Sequence, residues 1–303
     1  MISPVLDVRR LQYFLAVAET LHFRKAAEQL NVAQPALSQQ IRRLEEDLGC
    51  PLLTRNRRGV ALTPAGQALL ESGRRALVQL AHAEDAARRT AAQQVALLRI
   101  GFLNPAAFAV VPQLLQRMRD EHPEVFLVLR EGASAQLLEE VRLGQLDVAF
   151  VRGPVTHPGV RIEVLRREPL IAVLPSKHRL ARRKRVPLAE LAEEPFIGFR
   201  RDAAPSLHDA ITRLCMDAGF APAFVMEASE WYTIVSLVAA GLGVAILPES
   251  IAAFTHRDAV YRPIAGARRE VELVVAHAAG APNAALEAIL RIVADLTGGR
   301  SPL

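Results

Sequence analysis

The sequence predicts an α/β protein with a helical head: a short N-terminal segment of three helices and a two-stranded hairpin, one long helix, and a larger segment in which strands and helices alternate. Three observations carry this. Apolar residues recur at three- and four-residue steps through the first fifty positions. No proline falls between Pro64 and Pro105, and small or apolar residues keep a heptad rhythm across much of that interval. Beyond Gln94, short β-type runs alternate with helical runs, the pattern of a sheet covered by helices.

Composition narrows the class. A chain of 303 residues suggests two or three domains of about 100–150 residues. With 51% apolar and 23% charged side chains it can bury ordinary cores, which excludes wholesale disorder. Met1-Ile2-Ser3-Pro4-Val5-Leu6-Asp7 shows no apolar run behind a basic segment. The longest nearly apolar stretch, Ile234 to Pro248, is shorter than the ~18 residues of a membrane span. Cys50 and Cys215 make neither a disulfide framework nor a metal pair. The expectation is a soluble cytoplasmic protein with no membrane partner. The net charge of +5 is unevenly placed. Residues 1–92 hold 13 basic and 9 acidic side chains, and residues 93–303 hold 24 and 23. That asymmetry sets a polyanion against the head and leaves the remainder near neutral. The bias to arginine over lysine (Lys25, Lys177 and Lys184 only) is explained by coding preference.

Leu11, Phe14, Leu15, Ala18 and Leu21 make a first amphipathic helix. Phe23-Arg24-Lys25-Ala26-Ala27-Glu28-Gln29-Leu30 reads as a second, and Asn31 tolerates the left-handed conformation that ends a helix sharply. A third begins at Gln34-Pro35, proline being accepted in a first turn whose amides lack intrahelical partners. Leu37, Ile41, Leu44 and Leu48 form its inner stripe, and Gly49 ends it. Helix, tight turn, helix is the helix-turn-helix arrangement, whose second helix enters the DNA major groove. Removing the inner stripe leaves Gln34, Ser38, Gln39 and Arg42 near the exposed face. Glutamine pairs with adenine, arginine with guanine, serine with base edges or phosphate. A solvated helix face would show similar residues. The acidic run Glu45-Glu46-Asp47 would repel DNA, which assigns contact to the first half of the helix.

Pro51 to Leu62 reads as two short strands around Asn56-Arg57-Arg58-Gly59. Arg55, Arg57 and Arg58 near its tip suit phosphate or minor-groove contact, a wing beside the recognition helix. A plain surface hairpin is the alternative, and adjacency to the helix-turn-helix favours the wing. Thr63-Pro64 then supplies a cap and a first-turn proline. Leu69, Gly73, Ala76, Leu80, Ala83 and Ala87 step by four and three along the helix that follows, a narrow seam that calls for a partner helix. A dimer would set two winged units on successive half-sites.

In the remaining two hundred residues the predicted strands are Leu97–Leu103, Val125–Arg130, Asp147–Arg152, Leu170–Pro175, Phe196–Phe199, Ala223–Glu227, Val244–Pro248 and Glu270–His277. The predicted helices are Phe108–His122, Ser134–Leu143, Ser206–Ala218, Glu230–Ala240 and Ala284–Leu296. Alternation implies parallel sheets, with ligands held beyond the strand carboxyl ends. The candidate ligand positions are therefore the turns there: Asn104-Pro105, Ala133-Ser134, Arg152, Pro205-Ser206-Leu207, and Ser229 with Glu230. Helix starts carry free amides and partial positive charge, which suits an anion. Arg152 adds a charge-assisted pair to a carboxylate or, alternatively, holds a structural salt bridge. Trp231 and Tyr232 offer rings to stack on an aromatic ligand or to pack in a core.

The chain resembles the LysR-type transcriptional regulators. The resemblance is carried by Phe14-Leu15-Ala16-Val17-Ala18-Glu19, Ala26-Ala27-Glu28-Gln29-Leu30, Gln34-Pro35-Ala36-Leu37-Ser38-Gln39-Gln40-Ile41, Leu44-Glu45, Leu48-Gly49, Leu52-Leu53 and Leu62-Thr63-Pro64-Ala65-Gly66. It extends over essentially the whole chain, with Val238 to Pro248 as the family's usual segment. Ala33 departs from it, standing where many relatives have a capping serine or threonine. The resemblance implies a winged helix-turn-helix over 6–62 and a dimerising linker helix over 63–94. It implies an effector-binding domain over 95–303, two-lobed like the type 2 periplasmic binding proteins. Lobe I comprises 95–166 and 269–303, and lobe II comprises 167–268. It further implies DNA contact by Arg24, Lys25, Gln34, Pro35, Ser38, Gln39, Arg42, Arg55, Arg57 and Arg58, and an effector held between the lobes. The implied assembly is a homotetramer on double-stranded promoter DNA, working with RNA polymerase. Phe102, Phe150-Val151-Arg152 and Arg262-Pro263-Ile264-Ala265-Gly266 are most similar to the branch controlling aromatic-compound catabolism, whose effectors are small carboxylates. That branch's muconate binders offer hydroxyls where this chain has Asn104-Pro105 and Ala133, which argues against muconate itself.

An enzyme finds no support in the sequence. G-x-S-x-G, Walker and H-E-x-x-H motifs are missing. Gly241-Leu242-Gly243 lacks a third glycine and follows a helix. Ser206, His208 and Asp209 are too close on one helix to converge as a triad, and the eight histidines lack ligand spacing. No metal or cofactor is expected. The basic run Arg179 to Arg185 reads as a solvated connection. A transporter's solute-binding protein, the rival reading, would account for residues 95–303 only and predicts an export signal.

Overall fold

The computed structural model describes residues 6–56, 59–91, 96–103, 110–266, 269–280 and 283–296. Its contacts divide the chain into two compact units, 1–91 and 92–303.

In the first unit, α1 (Val8–Thr20) starts at Asp7, whose side chain accepts from the Arg10 amide at 2.7 Å, and stops at Leu21 with φ 49°. Helix α2 spans Phe23–Gln29, and Asn31 follows in the left-handed region at φ 52°. Helix α3 spans Gln34–Leu48 and ends at Gly49, φ 67°. Its N-cap is Ala33, with no side-chain cap. Leu37, Ile41 and Leu44 are fully buried against Phe14, Val17 and Ala26. Leu48 departs from the expected stripe at 39% exposure, because the last turn of α3 overruns the core. Strands β1 (Leu53–Asn56) and β2 (Gly59–Leu62) pair antiparallel. Thr63 then caps α4 (Pro64–Ala91), its hydroxyl accepting from the Gly66 amide at 2.9 Å. The first turns of α4 lean on α1: Leu70 is buried, Leu69 and Leu77 pack against the same core, and Arg74 pairs with Glu19 at 3.0 Å.

The second unit holds β3 (Ala96–Phe102), α5 (Val111–Glu121), β4 (Val125–Glu131), α6 (Ser134–Arg142), β5 (Val148–Gly153), β6 (Val160–Pro175), β7 (Val186–Pro187), β8 (Pro195–Phe199), α7 (Pro205–Asp217), β9 (Ala223–Ala228), α8 (Trp231–Ala239), β10 (Ala245–Pro248), β11 (Ala259–Ala265), β12 (Glu270–Ala278) and α9 (Ala284–Leu296). Sheet order is β4-β3-β5-β12-β6-β11-β7, with β10 also on β6, and β8 pairs β9 apart.

Two lobes share β6. Its residues Val160–Pro169 pair with β12, and Leu170–Pro175 pair with β10 and β11. The first lobe has three layers. Helices α5 and α9 cover one face of its sheet around Leu114, Met118, Phe150 and Ile289. Helix α6 covers the other around Leu137, Val141, Ala149 and Val274. Strand β5 is buried along its whole length, as a strand covered on both faces must be. The second lobe has its own core, centred on Phe196, Leu214, Ile234 and Leu247.

The expectation of parallel sheets needs correction. The β3–β4, β3–β5 and β8–β9 pairs are parallel, whereas β12–β5, β12–β6, β10–β6 and β11–β6 are antiparallel. The chain leaves the first lobe along β6 and returns along β12, so the two crossing strands run in opposite directions. Strand β11 was not among the expected elements, and the run expected at Leu170–Pro175 is the second half of a longer strand.

Candidate functional site

Helix α3 presents Gln34, Pro35, Gln39 and Arg42 to solvent. Ser38 does not join them. It is 6% exposed, on the edge of the stripe formed with Leu37 and Ile41 and small enough to be covered, so its expected place on the exposed face is corrected. Arg24 and Lys25 are exposed on α2, with Arg24 3.8 Å from Glu28. Arg24 and Gln34 line one shallow hollow with Asn31 and Val32. Arg55 lies in β1 opposite Val60, while Arg57 and Arg58 fall outside the described residues. The acidic run has a structural use that its charge conceals. Glu45 accepts the amides of Leu52 and Leu53 at 2.8 and 3.0 Å, fastening the hairpin to α3, and Asp47 pairs with Arg10 at 2.6 Å.

In the second unit one cleft of about 660 Å³ gathers Ala133, Ser134, Arg152, Pro205, Ser206, Leu207, Ser229 and Trp231. Asn104 and Pro105 lie outside the described residues, although Leu103 just before them lines the wall. Tyr232 is 52% exposed and is not among the lining residues, which supports neither its stacking nor its packing alternative. Helices α6, α7 and α8 all begin here, from Ala133, Ala204 and Glu230, and none has a side-chain cap. Three sets of first-turn amides thus converge on one space, each with the partial positive charge of a helix start. The walls are apolar at Leu103, Leu138, Val155, Phe199 and Trp231.

Arg152 is 7% exposed, and the salt-bridge alternative holds. Its guanidinium donates to Glu168 at 2.6 Å, and Glu168, 1% exposed, accepts the Ser250 amide with its other oxygen at 2.8 Å. The Arg152 amide donates to Ser134 Oγ at 3.1 Å, which leaves that hydroxyl's proton for another acceptor. Ser206 Oγ donates to the Pro154 carbonyl at 3.4 Å. At the rim, the Arg200 guanidinium hydrogen-bonded to Asp202 holds that carboxyl below the usual range. Sequence reasoning missed Thr156, His157 and Asp202, which lie in irregular loops without periodicity, and Glu168, whose partner is sixteen residues away. Phe199 was readable in principle, as the end of an expected strand.

A winged helix-turn-helix unit joined by a long helix to a two-lobed α/β unit with a cleft defines a ligand-responsive transcription regulator. Residues 8–67 match the model described as bacterial regulatory helix-turn-helix protein, lysR family, and residues 91–297 match the LysR substrate binding domain. The chain belongs to the LysR family of DNA-binding transcriptional regulators, which are not enzymes. It is 38% identical over 272 residues to AlsR of Bacillus subtilis (strain 168), covering 90% of each chain. It is 35% identical over 290 residues to HcaR, the Hca operon transcriptional activator of Escherichia coli (strain K12), covering 96% of this chain and 98% of that one. The crystal structure of CbnR, a LysR family regulator, superposes with a TM-score of 0.71 at 28% identity over 96% and 99% of the two chains. Full-length CbnR with its target DNA gives 0.68 at the same identity and coverage. Among the described residues no helix is long and apolar enough to cross a membrane.

Proposed function

We propose that this regulator is an activator of catabolic genes and that its cleft takes a small organic carboxylate, an aromatic acid being the best fit. The observation that carries this is the convergence of three helix starts without side-chain caps on an apolar-walled cleft. Amides at such starts receive a carboxylate without a counter-cation, and the Trp231 and Phe199 rings suit a flat apolar body. A dimer of dimers, paired through the exposed seam of α4, grips a near-palindromic promoter site. Gln34, Gln39 and Arg42 meet bases, while Arg24, Lys25, Arg55, Arg57 and Arg58 meet phosphates. The bound effector favours one arrangement of the tetramer over another, altering DNA bend and access of RNA polymerase, which requires tighter binding to one state.

The test is a footprint and an in vitro transcription assay on the promoter beside this gene, with and without a panel of aliphatic and aromatic acids. An acid that changes both protection and transcript level supports the reading. A panel that changes neither defeats the effector assignment while leaving DNA binding untouched.

A further inference from the structure

The helix-start amides suit an anion, yet the ionisable side chains that line the cleft include more acids than bases. Among the described lining residues the acids are Glu131, Asp202 and Glu230, and the one guanidinium is that of Arg152. Asp202 is held below the usual carboxylate range by Arg200, whose guanidinium meets its charge. The charge of Arg152 is met at 2.6 Å by Glu168, buried behind the cleft wall and anchored to the Ser250 amide. His157 on the wall faces Glu139 at 3.5 Å. Residues 104–109, which follow β3, are Asn-Pro-Ala-Ala-Phe-Ala and bring no charge. Once one carboxylate has taken the helix-start amides, a second on the same small molecule meets the carboxylates of Glu131 and Glu230 and a cation that Glu168 has already matched. Like charges at such range repel, more so where water is excluded.

We infer that the cleft selects a singly charged carboxylate with an apolar body, and that Glu168, without touching the effector, sets this limit by neutralising Arg152. Glu168 is thereby a specificity-determining positioning residue. The inference rests on the carboxylate reading above.

Trp231, the only tryptophan in the chain, lines the cleft, so its fluorescence reports occupancy in the full-length protein. Matched pairs, benzoate against phthalate and hexanoate against adipate, separate one charge from two on the same skeleton. The monoacid of each pair is expected to bind at least about tenfold more tightly. In Glu168→Gln that preference shrinks or reverses, because the Arg152 charge becomes available to a second carboxylate. Glu230→Gln, a change at the cleft wall outside the buried pair, narrows the preference too, and circular dichroism verifies that both variants fold. Diacids that bind the unmodified protein as tightly as monoacids overturn the inference and leave the carboxylate site standing. A preference unchanged in a folded Glu168→Gln overturns the role of Glu168. Silence of Trp231 toward all four acids, with none competing for promoter release, overturns the carboxylate reading beneath it.

Discussion

On α3, Gln39 faces solvent whereas Ser38, one residue earlier, is covered by the core. Successive helical residues turn by about 100°, so a single position separates an exposed side chain from a packing residue. The consequence is a sorted set of substitutions. Gln34→Ala and Arg42→Ala are expected to relax base preference at one position each, at a cost of about 1–3 kcal/mol against the favoured base. Ser38→Ala is expected to leave the preference unchanged. Selection of binding sites from a randomised pool checks all three, and an altered logo for Ser38→Ala would return that residue to the interface. Glu45 shows the same point for charge. The sequence reads it as a repulsive neighbour of DNA, but its carboxylate is spent on two hairpin amides.

Among elements, the junction of hairpin and long helix leaves no room for a side chain at Gly66. A Cβ on Gly66 would lie 2.0 Å from the Leu52 carbonyl oxygen, a backbone atom that cannot swing aside. Gly66→Ala is therefore expected to push α4 off β1 and to cost about 3 kcal/mol. Faster amide exchange at Leu52, Leu53 and Gly66 would report it, and unchanged exchange would show that the junction relaxes freely. The helices of the first unit were legible because each has its own punctuation: Asn31 in the left-handed region, Pro35 in a first turn, Gly49 at a C-cap, Thr63 at an N-cap. The strands of the second unit were legible as apolar runs, but their directions were not. Nothing local in Leu170–Pro175 says that it continues a strand begun at Val160 in another lobe.

At the scale of the whole molecule, α4 has two fates along its length. Leu70 and Gly73 are buried on the first unit's core, while Ala76, Leu80, Ala83 and Ala87, further along the same seam, are exposed. An apolar seam that leaves its own core and continues is what a second copy of the helix would cover. Leu80→Asp is accordingly expected to lower the oligomeric state seen by sedimentation velocity and to weaken binding to a two-half-site promoter by tenfold or more, about 1.4 kcal/mol. Binding to a single half-site should change little. A variant that stays fully assembled would remove α4 from the interface.

The helix-turn-helix, its hairpin, the long helix and the alternation that follows were readable from the residues alone, because each is written in nearest-neighbour periods and caps. So were the turns that line the cleft, because strand ends in α/β sheets adjoin helix starts. The burial of Ser38, the bond from Glu45 to the hairpin, the opposite directions of β6 and β12 between lobes, and the match of Glu168 to Arg152 came from the folded chain. Each of those depends on residues far apart in the chain meeting in space, and a distance across the fold leaves no period in the sequence.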